Sequence, residues 1–430
     1  MKYLKRVSWL VPLLVLAACG SSGTTTGTGV KSSSSAVVSS QSSSSSVASS
    51  VASSSSQPPV NGNGSLPPDR SGMELNAIDI AKNIRIGLNI GNTLEAYGAK
   101  SETYWGNPRI TQDFVRLAKQ SGFNAIRLPV SWDQYADPET LQIDPAWLER
   151  VHQVVQYCID EDMYVLVNIH WDGGWLEEHV TPAKQAQNVV KQKAYWQQIA
   201  TLLNEFDGRL LFASGNEPNV EDAEQMAVLE AYHQAFVDTV RASGGRNAYR
   251  VLVVQGPSTD VEKTHELMRQ LPVDTVAGRL MAEVHYYSPW NYTGMQKDEA
   301  WGNQFFYWGE GYHSSTDTAH NPTWGEEAHV DEMFGLMKAQ FVDQGVPVIL
   351  GEYGTGVREH LNGDDLQLHL AGRAHYFNYI TQRALANGLL PFYWDTGALL
   401  KRNGNAVLDA QALEALIGGA AQGPHYWAEQ

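Results

Sequence analysis

The chain has 430 residues, a formal net charge of −17, and only two cysteines beside 13 tryptophans and 19 tyrosines. So acidic a chain is a poor partner for nucleic acid or for anionic polymers such as pectin. Cys158 is the only cysteine after Cys19, so the region between and beyond them has no internal disulfide available and must be held together by a large apolar core.

Lys2, Lys5 and Arg6 precede an apolar segment from Val7 to Ala18, too short to span a bilayer and of the pattern of a secretory signal. Leu16-Ala17-Ala18-Cys19-Gly20 resembles a bacterial lipobox. That resemblance implies lipidation of Cys19, a membrane held through the lipid, and an outer-membrane, surface-exposed location. Residues 19–68 are dominated by Ser, with Thr, Gly and late prolines. This composition buries too little apolar surface to offset ordering entropy, and reads as a disordered tether. Residues 69–430 are read as one folded domain.

In that domain apolar runs alternate with helical patterns. Strands are predicted at Ile84–Asn89, Ala125–Val130, Met163–Ile169, Leu210–Ala213, Arg250–Val254, Leu280–His285, Val348–Gly351 and Leu390–Tyr393. Helices are predicted at Ile110–Ser121, Pro145–Glu161, Ala186–Glu205, Gln225–Arg241, Val261–Arg269, Glu326–Asp343, Leu366–Ala386 and Ala410–Ile417. Eight such units predict an α/β fold, a (β/α)8 barrel with enlarged βα loops, in preference to a doubly wound sheet. Gly87-Leu-Asn-Ile-Gly-Asn92 lacks the third glycine and the acidic partner of a dinucleotide site. No metal or cofactor is expected.

Polar and aromatic residues stand where the strands end: Asn89, Asn92, Arg127, His170, Trp171, Asn216, Glu217, His285, Tyr287, Glu352 and Trp394. Pro218 stops the fourth strand, so Asn216 and Glu217 fall at its carboxyl end, and Glu352 ends the seventh. Two strand-end carboxyls suggest the pair of a retaining glycosidase, set about 5 Å apart. Arg127 can keep a nearby carboxylate charged, and the Tyr287 hydroxyl can do the same by hydrogen bonding. Asn216 can hold a sugar 2-hydroxyl, and Trp394 offers a flat face to a pyranose ring. Asn89, Trp171 and Trp290 complete the expected sugar-binding set.

These motifs resemble glycoside hydrolase family 5, over essentially all of the chain from Asp69. The resemblance assigns the acid/base to Glu217 of Asn216-Glu217-Pro218 and the nucleophile to Glu352 of Leu350-Gly-Glu-Tyr-Gly354. It also matches Arg127 of Ile126-Arg-Leu-Pro129, His170 of Asn168-Ile-His-Trp171, His285 and Tyr287 of His-Tyr-Tyr, and Trp394. Gly87–Asn92 and Ala282–Pro289 further resemble the bacterial endoglucanase branch. Trp171 and Asp395 depart from relatives that carry a second His and a Trp-Glu there, near the places that judge the sugar. The resemblance implies a monomeric endo-β-1,4-glucanase acting on a neutral β-linked polysaccharide or oligosaccharide. A β-mannanase or a xyloglucan or mixed-linkage glucan hydrolase is the alternative, and a surface glycan-binding lipoprotein the non-enzyme one.

Other residues have structural readings. Cys158 lies on an apolar helix face and is expected to be a buried thiol. Trp175, Trp301 and Trp308 line the cleft or pack loops. His313, His320 and His329 are expected to be loop residues, and Glu177-Glu178 a solvated face.

Overall fold

The computed structural model describes residues 65–430; the signal, Cys19 and nearly all of the Ser-rich segment lie outside the described residues. Eight parallel strands close into a barrel in chain order: β1 Gly87–Ile90, β2 Ala125–Leu128, β3 Tyr164–Asn168, β4 Leu210–Ala213, β5 Leu252–Gln255, β6 Leu280–Tyr286, β7 Val348–Tyr353 and β8 Leu389–Asp395. β1 pairs with β8 and completes the ring. The helices are α1 Ala77–Asn83, α2 Gln112–Gln120, α3 Pro145–Asp160, α4 Pro182–Leu202, α5 Ala223–Ser243, α6 Val261–Leu267, α7 Trp290–Thr293, α8 Glu327–Gln340, α9 Gly363–Ala386 and α10 Ala410–Gln422.

The strands form where short unalternated apolar runs can be covered on both faces. All four residues of β4 are buried, and Leu210, Leu211 and Phe212 each contribute roughly 1.5–3 kcal/mol of burial. The helices start at polar caps: Thr111 accepts from the Phe114 N–H, Asp222 from that of Gln225, and Asp144 caps α3 with Pro145 in its first turn. Cys158 is fully buried on the inner face of α3, and burial raises its thiol pKa.

Two helices were not anticipated, α1 and the four-residue α7, which lies in the long loop after β6. α1 is only seven residues long, but Asn76 and Asp79 form a reciprocal capping box, and Ala77, Ile80 and Ala81 are buried. It lies by the amino-terminal ends of the strands, where the Ala77 N–H donates to Gly278 O, just before β6. The predicted first strand is correspondingly shorter at its start, since Ile84 caps α1. At the entry to the barrel Leu66 forms a parallel bridge with Gly244.

Near the carboxyl ends the β6–β7 pairing shifts register between Val284 and His285, and sets His285 level with Glu352. Gly351 is required there. A Cβ on it would stand 2.1 Å from Glu283 Oε1 and 2.9 Å from His285 Nε2.

Candidate active site

β2 carries Arg127 into the barrel mouth, fully buried, with Glu352, Asn89, Asn216, Glu283 and, at 3.4 Å from Nη2, His285 Nε2 around one guanidinium. Nη1 donates to Glu352 Oε1 at 2.8 Å and to Asn89 Oδ1 at 3.0 Å. Nη2 donates to Asn216 Oδ1 at 2.9 Å, and Nε lies 2.9 Å from Glu283 Oε1. Four strands thus hang on a single cation: β1 through Asn89, β4 through Asn216 just beyond its end, β6 through Glu283, and β7 through Glu352. Glu283 is buried yet its carboxyl pKa stays low; burial pushes it up, and Arg127, then His285, overcome that.

β6 and the residue just after it supply Glu283, His285 and Tyr287, at alternate positions along the chain. His285 Nδ1 is 2.7 Å from Glu217 Oε1 and 3.8 Å from Glu352 Oε1, and Nε2 is 3.3 Å from Glu283 Oε1. Burial alone would lower its pKa; Glu352, Glu217 and Glu283 together outweigh burial and raise it to about 9. The Tyr287 hydroxyl donates to Glu352 Oε2 at 3.0 Å.

One carboxyl oxygen of Glu217 and one of Glu352 lie within 4.8 Å of each other. Their surroundings differ. The Glu217 side chain is 37% exposed and bonded to His285, whereas that of Glu352 is 7% exposed and held by Arg127 and Tyr287. Burial, aided by the neighbouring Glu217, leaves the Glu352 pKa raised, and His285 and Arg127 offset only part of that. Glu217, His285 and Glu352 stand close enough to hold a metal ion, but a ligating imidazole must be neutral. The three carboxyls around His285 raise its pKa to about 9, so a metal held there would first have to displace the imidazole proton.

His170 stacks on Trp394, with ring centroids 5.6 Å apart and planes 7° from parallel. Burial, then Arg127 and His285, hold the His170 pKa well below the ordinary value, so a neutral imidazole lies beside the indole. Trp171 meets Tyr97 edge-on and donates from its indole to Glu178 Oε1 at 3.0 Å. Trp290, at the start of α7, is exposed, as is Trp301. Trp175 and Trp308 are buried against Tyr195 and Tyr376, and pack loops.

The structure corrects three expectations. Asn89 does not reach a sugar: it is fully buried, and its Nδ2 donates to Gly351 O at 2.8 Å, with Phe392 O and Tyr393 O each at 3.3 Å. Its part is to hold Arg127 from below. Asp395 does not face a subsite either; it is buried, and Oδ1 accepts from the Gly397 and Leu399 N–H groups at 2.9 Å each. Glu177 is not solvated. Glu178 is exposed, but Glu177 is buried and its Oε1 accepts from the Glu217 N–H at 2.8 Å and Asn216 Nδ2 at 3.2 Å. His313 and His320 lie in the long loop, paired with Glu326 and Asp317.

Comparison with known proteins matches the cellulase family, glycosyl hydrolase family 5, over residues 90–399. The chain belongs to glycosyl hydrolase family 5. Among its family 5 relatives is a xyloglucan-specific endo-β-1,4-glucanase of Bacteroides ovatus, 37% identical over 373 residues, covering 82% of this chain and 72% of the relative. Endoglucanase A of Paenibacillus barcinonensis is 35% identical over 377 residues, covering 80% and 90%. The Bacteroides ovatus family 5 xyloglucanase solved with a XXXG heptasaccharide superposes with TM-score 0.78 at 35% identity, over 83% of this chain and 79% of that one. A xyloglucan-specific β-1,4-glucanase from a ruminal metagenomic library, solved with XXLG, gives TM-score 0.76 at 37% identity, over 81% and 97%.

Sequence reasoning missed Glu177 and Glu283. Glu283 had a signal, its two-residue spacing from His285 on one strand. Glu177 had none, because what holds it lies about 40 positions away at the end of β4.

Proposed function

We propose that this family 5 protein is an endo-acting, retaining β-1,4-glucanase, with Glu352 as nucleophile and Glu217 as acid/base. The observation that carries the reading is the approach of the two carboxyls, one oxygen of each within 4.8 Å of the other. Oxygens that close suit a retaining pair, whose carboxyl groups stand roughly 5–5.5 Å apart, better than an inverting pair, whose groups stand roughly 6.5–9.5 Å apart to admit a water.

In the first step a Glu352 oxygen bonds to the anomeric carbon as the bond from that carbon to the leaving oxygen breaks. Glu217 gives its proton to the leaving oxygen, and the shortened chain departs as an alcohol. In the second step a water oxygen attacks the anomeric carbon, its proton passes to Glu217, and Glu352 leaves as a carboxylate. Two displacements restore the β configuration. Arg127 and Tyr287 stabilise the Glu352 anion before attack and on its release. His285, a cation bonded to Glu217, offsets the negative charge that Glu217 takes on when it gives up its proton. Asn216, fixed by Arg127 through its oxygen, presents its amide to the 2-hydroxyl of the sugar undergoing cleavage. His170 and Trp394 form one wall for that sugar, and Trp171 and Trp290 offer faces further along the chain.

Two relatives named for xyloglucan support a branched β-1,4-glucan as the preferred polymer. Reducing-sugar release from carboxymethyl cellulose, barley glucan, xyloglucan and galactomannan, side by side, tests this. Release from xyloglucan and the other glucans is expected; cleavage of galactomannan with the glucans untouched overturns the reading. The lipobox-like segment supports attachment of Cys19 to the outer membrane, with the domain working outside the cell as a monomer. Cys19→Ser is expected to move the activity from the membrane fraction to the soluble one, and an unchanged membrane fraction counts against the anchor.

A further inference from the structure

We infer that Glu177 is a positioning residue for the general acid: its carboxyl fixes the main chain of Glu217 and the side chain of Asn216 so that the proton is delivered to the leaving oxygen. The inference rests on the reading of Glu217 as acid/base.

Three observations carry it. A single oxygen, Oε1, accepts both from the Glu217 N–H at 2.8 Å and from Asn216 Nδ2 at 3.2 Å. The Glu177 main-chain carbonyl accepts from the Asn219 N–H at 2.8 Å, so the 3₁₀ turn Glu177–His179 grips the chain on both sides of Glu217 and Pro218. Asn216 is in turn fixed at its oxygen by Arg127, which also holds Glu352. The acid and the nucleophile are therefore connected through Glu177, Asn216 and Arg127.

The other carboxyl oxygen, Oε2, is buried with no hydrogen-bond partner among the described residues. A buried carboxylate in that position would carry an uncompensated charge next to two other acids. Burial, followed by repulsion from Glu217, raises the Glu177 pKa to about 8. The raised pKa favours the protonated form, whose carbonyl oxygen can accept both bonds without adding a further negative charge beside Glu217, Glu352 and Glu283.

The test uses leaving groups. A sugar or glucan chain leaves as a poor alkoxide and needs its proton, whereas dinitrophenolate leaves without one. With the full-length protein, kcat/KM is measured on cello-oligosaccharide and on dinitrophenyl cellobioside for the parent, Glu177→Ala, Glu177→Gln and Glu217→Ala. Glu177→Ala is expected to lose about 10–100-fold on the oligosaccharide and under about 3-fold on the aryl glycoside, in line with a displaced acid. Glu177→Gln, which keeps an acceptor oxygen, is expected to recover most of that loss. Glu177→Met fills the space without accepting a hydrogen bond, and gives the same comparison should the alanine variant not fold. Equal losses on both substrates, or parent-like rates on both for Glu177→Ala or Glu177→Met, overturn the inference. If Glu217→Ala itself shows no difference between the two substrates, it is the acid/base reading that fails.

Discussion

Arg127 and Arg250 are both fully buried in the wall of one barrel, yet they sit in opposite chemical worlds. Arg250, just before β5, gives its guanidinium to neutral acceptors: Asn247 Oδ1 at 2.8 Å, Leu210 O at 2.8 Å, Phe206 O at 2.7 Å and Asp207 O at 3.0 Å. Burial lowers its pKa to about 9. Arg127, at the mouth, meets two carboxylates, and although burial pulls its pKa down, Glu283 and Glu352 raise it overall. A buried cation among carbonyls ties strand starts together; a buried cation among acids sets charge for chemistry. The two ends of a barrel divide stability from catalysis in this way.

The sharpest way to break the contrast is at the acids themselves. Glu217→Ala and Glu352→Ala are each expected to lower kcat on glucan by about 1,000-fold or more, with unfolding midpoints close to that of the parent. Parent-like turnover in either ends the assignment. Next come the arginines. Arg127→Lys keeps the charge but cannot reach all of the partners of the guanidinium, and about a 100-fold fall in kcat is expected. Arg250→Met is expected to cost about 3 kcal/mol in urea unfolding, from carbonyls left unpaired, while kcat per folded molecule stays near that of the parent. If Arg250→Met lost activity at constant stability, the division between the two ends would collapse.

The pH dependence of stability gives a smaller effect of definite sign. The His285 pKa rises from its ordinary 6.5 to about 9 on folding, so between those values the folded state binds more protons than the unfolded one. Its stabilisation is fully present below pH 6.5 and disappears as pH climbs through 9. The advantage of the parent over His285→Gln in thermal midpoint is expected to shrink across that interval; a constant difference counts against a charged His285. Trp290→Ala is expected to make the least difference, raising KM on a long glucan a few-fold with kcat nearly unchanged.

Much of this was legible in the sequence, and the reason is local. Val348–Tyr353 and Leu210–Ala213 are apolar runs that end abruptly in Glu352 and Asn216-Glu217, so one-dimensional pattern placed them at strand ends, and the closed ring of strands brought them together. Arg127 was legible in the same way, following Ala125-Ile126 on β2. The polar residues that support them were not. Asn89 looked like a sugar contact because it ends a strand, but its amide is occupied by β7 and β8 carbonyls that only closure of the barrel brings near. Glu177 looked like half of a solvated acidic pair; a 3₁₀ turn folds it onto Asn216 and Glu217. Helix α1 could have been found from the Asn76–Asp79 capping box, but it is too short to show periodicity.

The double displacement at Glu352 is tested most directly by proton NMR of the first sugar released. A cello-oligosaccharide or xyloglucan fragment is cleaved in deuterated buffer faster than the product mutarotates, and the anomeric signal is followed from the first minute. The β anomer appearing first, with α growing in later, is the predicted result. The α anomer appearing first would mean a single displacement by water, and would contradict the roles given to Glu217 and Glu352.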